Sequence, residues 1–506
     1  MSNFVKNFER MTNQTLSENG GIVFSHTGEG ALLDLFALIG GMRHQPDNEI
    51  ISKWKAAYKE NPELAANLIL YTRDAGRNGG LGERRIGRLL LKELAKLEPE
   101  KVKRNLQTIV DIGRWDDLIY SLEGTPCEDA MWGFIKGRFI VDITLMKANK
   151  PISLLAKWSP SINTSSKESR RLANKFCKIA GISPRTYRKT LSKLRAYLDV
   201  VERKMSAGEW NEIDYEAVPS LAMSRYIKAF NIHNPEAFGE YKNKLSKGEA
   251  KVNASVITPS EICRKYIVNG GNRAWNSGWY GSSNTNPVVG ILDEVDKAQW
   301  NSLPNYVEGG HDVVIMADIS GSMSSPNYEP IAASVGLATY FAQRNTGAYK
   351  NLYMSFAGNP SFIKLEEDWD IEKCFSYVLG SAVSYNTNMD KAFEAIYNLA
   401  IESREAPRAI CVISDGEMDS WVQSKQSDSI VSKWNNKLIA AGLNPIKVIS
   451  WNVAARNGTV IAPASDYVSY CGGSSAGVFK NFVSLIEKNS YQAMIEILTK
   501  PEFTWK

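Results

Sequence analysis

The stretch HDVVIMADISGSM, His311 to Met323, constrains the fold more than any other part of the chain. Val313 to Ala317 is a short, unbroken apolar run, the pattern of a strand buried on both faces of a parallel sheet. Asp318 stands at its carboxyl end, where open α/β sheets place their ligands. Ser320 and Ser322 follow at alternate positions, so one carboxylate and two hydroxyls can converge from a single loop. Such a donor set suits a hard cation such as Mg²⁺, which takes oxygen ligands in octahedral geometry.

Asp, Gly and Ser also build ordinary turns, so this string alone does not define a site. Two later stretches have the chemistry to return to the same sheet edge. The apolar run Ala409 to Ile413 leads into Ser414-Asp415-Gly416-Glu417, and Tyr385-Asn386-Thr387-Asn388 offers a further hydroxyl ahead of the helical pattern Met389 to Ala400. Together the three parts resemble the metal-ion-dependent adhesion site of a von Willebrand factor A domain, with Asp318, Ser320, Ser322, Thr387 and Asp415 matching its five positions. The resemblance implies that the hydroxyls bind the metal directly or nearly so and the aspartates directly or through water. It also implies a sixth position open to a carboxylate from a partner protein.

From His311 onward, strand patterns alternate with helical ones: Val313 to Ala317, helix Pro330 to Arg344, strand Leu352 to Phe356, helix Met389 to Glu402, strand Ala409 to Ile413, helix Ile430 to Ala440, strand Ile446 to Trp451 and helix Ala476 to Glu487. This alternation predicts a parallel-dominated sheet covered on both faces. Earlier, from Ile51 to about Thr258, the signal is helical periodicity, as in Leu64, Leu68 and Tyr71 or Leu90, Leu94 and Leu97. Helices separated by short polar turns suggest stacked pairs of the HEAT type, without an exact repeat. The opening residues combine a turn-rich stretch, Asn19 to Gly30, with the apolar segment Ala31 to Leu38.

A chain of 506 residues exceeds what one hydrophobic core usually supports. The expected fold class is therefore multidomain, an α-helical HEAT-like ring or solenoid followed by an α/β von Willebrand A (Rossmann-like) domain. The expected segments are 1–268 helical repeats, 269–310 a boundary, 311–489 the A-like domain and 490–506 a tail docking back on the helical domain. The boundary is rich in Gly, Asn, Ser and Trp. Its Arg273, Trp275, Trp279 and Tyr280 could stack on bases or pin a linker against its neighbours.

Charge is divided unevenly. Residues 1–300 hold 44 Lys and Arg against 34 Asp and Glu, a net of +10, leaving −5 for the remainder. Residues 151–200 hold 11 basic and 2 acidic side chains. If Lys167 to Ala180 is helical, Lys167, Arg171, Lys175 and Lys178 share one stripe while Leu172, Phe176 and Ile179 face the core. Ser183-Pro184 starts a second helix, with Tyr187, Leu191, Leu194 and Leu198 buried and Arg185, Arg188, Ser192 and Arg195 on an adjacent stripe. Surface helices usually carry acids among their bases, so this bias points to a phosphate backbone. The candidate RNA contacts are Lys167, Arg170, Arg171, Lys175, Lys178, Arg185, Arg188, Lys189 and Arg195.

Other chemistries are disfavoured. The six cysteines form no CxxC pair and read as buried thiols of a reducing cytoplasm. The four histidines make no zinc-enzyme motif. The glycine-rich stretch Arg73 to Arg85 follows a helical pattern rather than a strand, which argues against a dinucleotide fingerprint. Trp115 reads as a packing anchor more than a base-stacking surface. No apolar run approaches the roughly 18 residues that cross a bilayer, and the first 15 residues are too polar for a signal peptide. We therefore expect no membrane association.

Helical repeats before an A-like domain resemble the Ro autoantigen (TROVE) family. The stretches RDAGRNGGLGERR, GRWDDL, PSLAMSRYIKAF, KGEAKVNA and Cys471-Gly472-Gly473 look like its divergent bacterial and phage branch, across most of residues 20–490. This resemblance implies a ring with a basic hole for single-stranded RNA ends, an outer surface for a small noncoding Y RNA, and an A domain that bridges the ring. The function expected first is a noncatalytic, cytoplasmic RNA-binding protein, part of a ribonucleoprotein, with a Mg²⁺ site for structure or partner docking. The alternative is a metal-dependent protein-interaction scaffold, such as a phage assembly or virion component, without RNA. A phosphoesterase would need more carboxylates than Asp318 and Asp415, with Glu417 nearby, to hold two metals.

Overall fold

A computed structural model describes residues 13–16, 22–74, 78–269, 290–307, 312–356, 360–380, 389–416, 430–455, 458–460 and 463–506. The chain forms two compact units. One joins Met1–Ile86 to Ala254–Thr504, and the other comprises Gly87–Asn253 with Trp505–Lys506.

The first unit contains a small antiparallel hairpin, β1 (Gln14–Leu16) with β2 (Ile22–Phe24). Its main sheet is built from β3 (Val313–Asp318), β4 (Leu352–Phe356), β5 (Ser361–Lys364), β6 (Ala409–Ser414), β7 (Lys447–Asn452) and β8 (Val468–Gly472). The strand order is β5-β4-β3-β6-β7-β8, parallel throughout except where β5 runs antiparallel to β4. Every residue of β3, β6, β7 and β8 is buried, so both faces are covered, as the unbroken apolar runs require. From β3 the chain builds outward through β4 on one side and, after returning, through β6 on the other. The gap between the carboxyl ends of β3 and β6 is thus the topological switch point, where such sheets bind ligands.

The compact units do not follow the expected boundary at residue 268. The helix Pro259–Asn269 packs along Glu329–Arg344, and a Cβ at Gly336 would lie 2.7 Å from the Pro259 carbonyl oxygen. The helix Ala31–Leu38 packs on β7 and β8. The 3-10 turn Ile39–His44 then crosses the end of β8, where a Cβ on Gly40 would come within 2.4 Å of the Gly472–Gly473 backbone. Helical periodicity tells that a helix buries a face, not which body receives it. The tail is also divided. Ser490–Leu498 packs on Pro62–Arg73, with Asn67 Nδ2 donating to the Leu498 carbonyl at 3.1 Å, and both belong to the sheet-containing unit. Lys506 exchanges two hydrogen bonds with Asn105 inside the helical unit.

The described part of the helical unit contains no strand. Its longest helix, Glu128–Lys147, packs against Lys167–Ala180 and Pro184–Tyr197. Phe176 stands at 5.9 Å from Trp132, 5.5 Å from Phe139 and 5.4 Å from Tyr187 between ring centroids, which locks the three helices through their aromatic faces. Gly181, at φ 69°, ends Lys167–Ala180 in the left-handed region. Ser183 then accepts the Thr186 N–H at 3.1 Å, and Pro184 opens the next helix.

Candidate metal centre and basic helix face

Strand β3 ends on Asp318, which has 0% of its surface exposed, and Asp415 immediately follows β6 with 2% exposed. The register Ala317↔Ile413 sets the two strand ends side by side. Asp318 Oδ1 accepts the Ser320 N–H at 2.9 Å, while its Oδ2 is buried and makes no hydrogen bond of ordinary geometry among the described residues. Ser320 Oγ lies 3.1 Å from Ser322 Oγ, and Ser322 belongs to the 3-10 turn Gly321–Ser324. Burial first, and the neighbouring Asp415 charge second, push the Asp318 carboxyl up to about 7. Two sequestered carboxylates and an orphaned oxygen would be costly in an apolar interior. They suit a cation that would neutralise the pair, so the donors fit a divalent ion with oxygen preference.

Asp318, Ser320, Ser322 and Asp415 therefore gather at one edge, whereas Thr387 and Glu417 lie outside the described residues. Among the described residues no cluster of three or more His, Cys, Asp or Glu side chains is placed to hold a metal. A site made from hydroxyls and two aspartates is not of that kind. The six cysteines are buried and unbridged. No helix among the described residues is long and apolar enough to cross a membrane.

The nine candidate RNA residues separate into two groups. Arg171 pairs with Glu123 and Glu168, and Lys175 with Glu123 and Glu128. The Arg171 and Lys175 contacts hold the Glu123 carboxyl below its ordinary range. Arg170 donates to the Thr164 and Ser165 carbonyls at 2.5 and 3.2 Å. Arg195 turns inward, donating to the Ala156 carbonyl at 2.9 Å, the Ser159 carbonyl at 2.8 Å and Ser161 Oγ at 2.9 Å. Placing Arg195 on the exposed stripe is thus corrected: ten residues beyond Arg185, it is rotated by about 80° toward the buried Leu191 side. Ile179, expected in the core, is 38% exposed.

Lys167, Lys178, Arg185, Arg188 and Lys189 remain exposed and make no ion pair with described residues. Lys193, not singled out from the sequence, joins them, because positions 185, 189 and 193 recur every four residues on one face. From Ile143 to Leu198 the chain has 13 Lys and Arg and a single acid, Glu168. That acid is already bound to Arg171. Trp115 is buried and stacks on Phe134 at 5.5 Å, as a packing anchor should. Sequence reasoning missed Trp158, which closes the short helix Leu155–Trp158 and lies 3.9 Å beneath the Arg114 guanidinium. The boundary residues Arg273, Trp275, Trp279 and Tyr280 lie outside the described residues.

Two family models match, each described as a domain of unknown function: DUF2828 over residues 179–308 and DUF7788 over residues 312–501. An uncharacterized protein of Acanthamoeba polyphaga mimivirus is 24% identical, over 96% of this chain and 88% of its own length. Among solved structures, the Ro (RSR) protein of Deinococcus radiodurans is similar over 81% of this chain and 92% of that one, at 14% identity and a TM-score of 0.38. Proximal thread matrix protein 1 of the mussel byssus, with a zinc-occupied MIDAS motif, is similar over 35% of this chain and 47% of that one, at 12% identity and a TM-score of 0.24.

Proposed function

We propose that the helical unit binds single-stranded or misfolded RNA through its phosphates, and that the sheet-containing unit carries a Mg²⁺ or similar divalent ion at Asp318, Ser320, Ser322, Thr387 and Asp415. The ring that the family resemblance implies, with a small noncoding RNA of the Y type as second ligand, belongs to the same reading. So do a noncatalytic role and a reducing, cytoplasmic setting suited to six unbridged thiols.

The observation that carries the RNA reading is the row of exposed cations on Pro184–Tyr197, without acids among them. Cations that only stabilise this fold are met by carboxylates, as Arg171 and Lys175 are, or by carbonyls, as Arg195 is. A row left to solvent instead matches a repeating anionic polymer. The test is titration of a single-stranded RNA oligomer into the full chain at rising salt. The affinity should fall steeply, because each neutralised phosphate releases counterions. Absence of binding, or binding indifferent to salt, contradicts the proposal.

A second reading rests on the buried Asp318 Oδ2, which makes no hydrogen bond of ordinary geometry among the described residues. Here the metal's open position takes a carboxylate from a protein partner, and RNA plays no part. A partner lost on chelation with EDTA but retained after nuclease treatment would favour it.

A further inference from the structure

We propose that Trp158, backed by Arg114, is a stacking platform for an unpaired base of the strand whose phosphates the exposed face of Pro184–Tyr197 holds. The inference rests on the RNA reading and adds that the site distinguishes bases from bare backbone.

Three observations lead to it. Trp158 is only partly buried, unlike Trp132 and Trp115 in the same unit. The Arg114 guanidinium lies 3.9 Å from its ring centroid and is held there by Asp116, which accepts from Nε at 3.0 Å and Nη2 at 2.8 Å. Lys157 adds a second cation 5.6 Å from the same centroid. A partly exposed indole with a guanidinium fixed behind it offers an aromatic surface on a rigid support, and Lys157 adds positive charge beside it, the combination that single-strand binders use for bases of any sequence.

Backbone contacts on either side of Trp158 fasten its segment to the helix that carries the cation row. Residues 156–161 run along Pro184–Tyr197, fastened by the Tyr187 hydroxyl to the Pro160 carbonyl at 2.8 Å and by Arg195 to the Ala156 and Ser159 carbonyls. Arg188 lies between Tyr187 and Arg195 in the helix and is exposed. A strand whose phosphates follow Arg185, Arg188 and Lys189 would therefore pass close to Trp158. The loop from Ser159 to Ser166 carries no charge of either sign to repel it.

The test compares a single-stranded RNA oligomer with an abasic oligomer of equal length, on the full chain at one salt concentration. Wild-type protein should bind the base-bearing strand at least about fivefold more tightly than the abasic one. Trp158→Leu should remove that preference and leave abasic binding unchanged, whereas Trp158→Phe should retain most of it. Equal wild-type affinity for the two strands overturns the platform, and that comparison requires no variant. So does an unchanged preference in a folded Trp158→Leu protein. Failure of both strands to bind would instead overturn the RNA reading beneath it, so the two failures are distinguishable.

Discussion

At the residue scale, the burial of Asp318 beside Asp415 makes metal and proton competitors. With its carboxyl raised to about 7, the folded metal-free protein binds more protons than the unfolded chain between the ordinary Asp range and that value. Its contribution therefore lowers stability as pH rises through this window, and the penalty is complete above it. A divalent ion requires the deprotonated pair and relieves that penalty. Added Mg²⁺ should raise the melting temperature by several degrees at about pH 8 and much less at about pH 5. Asp318→Asn should abolish the rise, and an equal rise at both pH values in the wild type would contradict the site. The two arginine roles separate as cleanly. Arg195→Gln breaks three inward hydrogen bonds and should cost about 2–3 kcal/mol in denaturant unfolding. Arg188→Gln, on the exposed face, should stay within about 0.5 kcal/mol of wild type. That Asp318, Ser320, Ser322 and Asp415 meet at one sheet edge was legible because each follows an unbroken apolar run that ends there. It misplaced Arg195 because an 80° rotation decides between carbonyls and solvent, and charge alone does not report it.

At the scale of elements, long amphipathic helices and unbroken apolar strands were legible to within a residue or so. Lys167–Ala180 and Pro184–Tyr197 occur where expected, as do β3, β4 and β6, while β7 is displaced by one residue. The misses have weak local signals. Strand β5 is a four-residue edge with a single buried residue, Ile363, and β8 mixes Ser, Tyr, Cys and Gly although all of it is buried. The helix Ile371–Gly380 was not anticipated, and Ala476 to Glu487 divides into a 3-10 turn and a short helix. No sequence pattern announced that Ile39–His44 rests on the end of β8. Gly40→Ala tests this contact, because its methyl group would meet backbone atoms of Gly472 and Gly473 that cannot swing aside. A destabilisation of about 1–3 kcal/mol is expected in thermal or denaturant unfolding. A neutral effect would mean that the turn does not pack there.

At the scale of the whole molecule, charge follows the compact units more closely than it follows the linear halves. The unit formed by 87–253 and 505–506 holds 31 Lys and Arg against 20 Asp and Glu, a net of +11, and the other unit a net of −6. The charge bias was legible in the sequence. The grouping of residues 1–86 with the sheet was not, since it depends on contacts between distant segments. On the proposed function the polyanion falls to the helical unit and the divalent ion to the sheet, with the exposed cation row as the most specific element of that reading. The most direct test measures single-stranded RNA affinity against salt for wild type and for Arg185→Gln/Arg188→Gln/Lys189→Gln. Losing three phosphate contacts should reduce the slope of log affinity against log salt by about 2 while leaving the melting temperature unchanged. An unchanged affinity and slope in the folded triple variant would contradict the account.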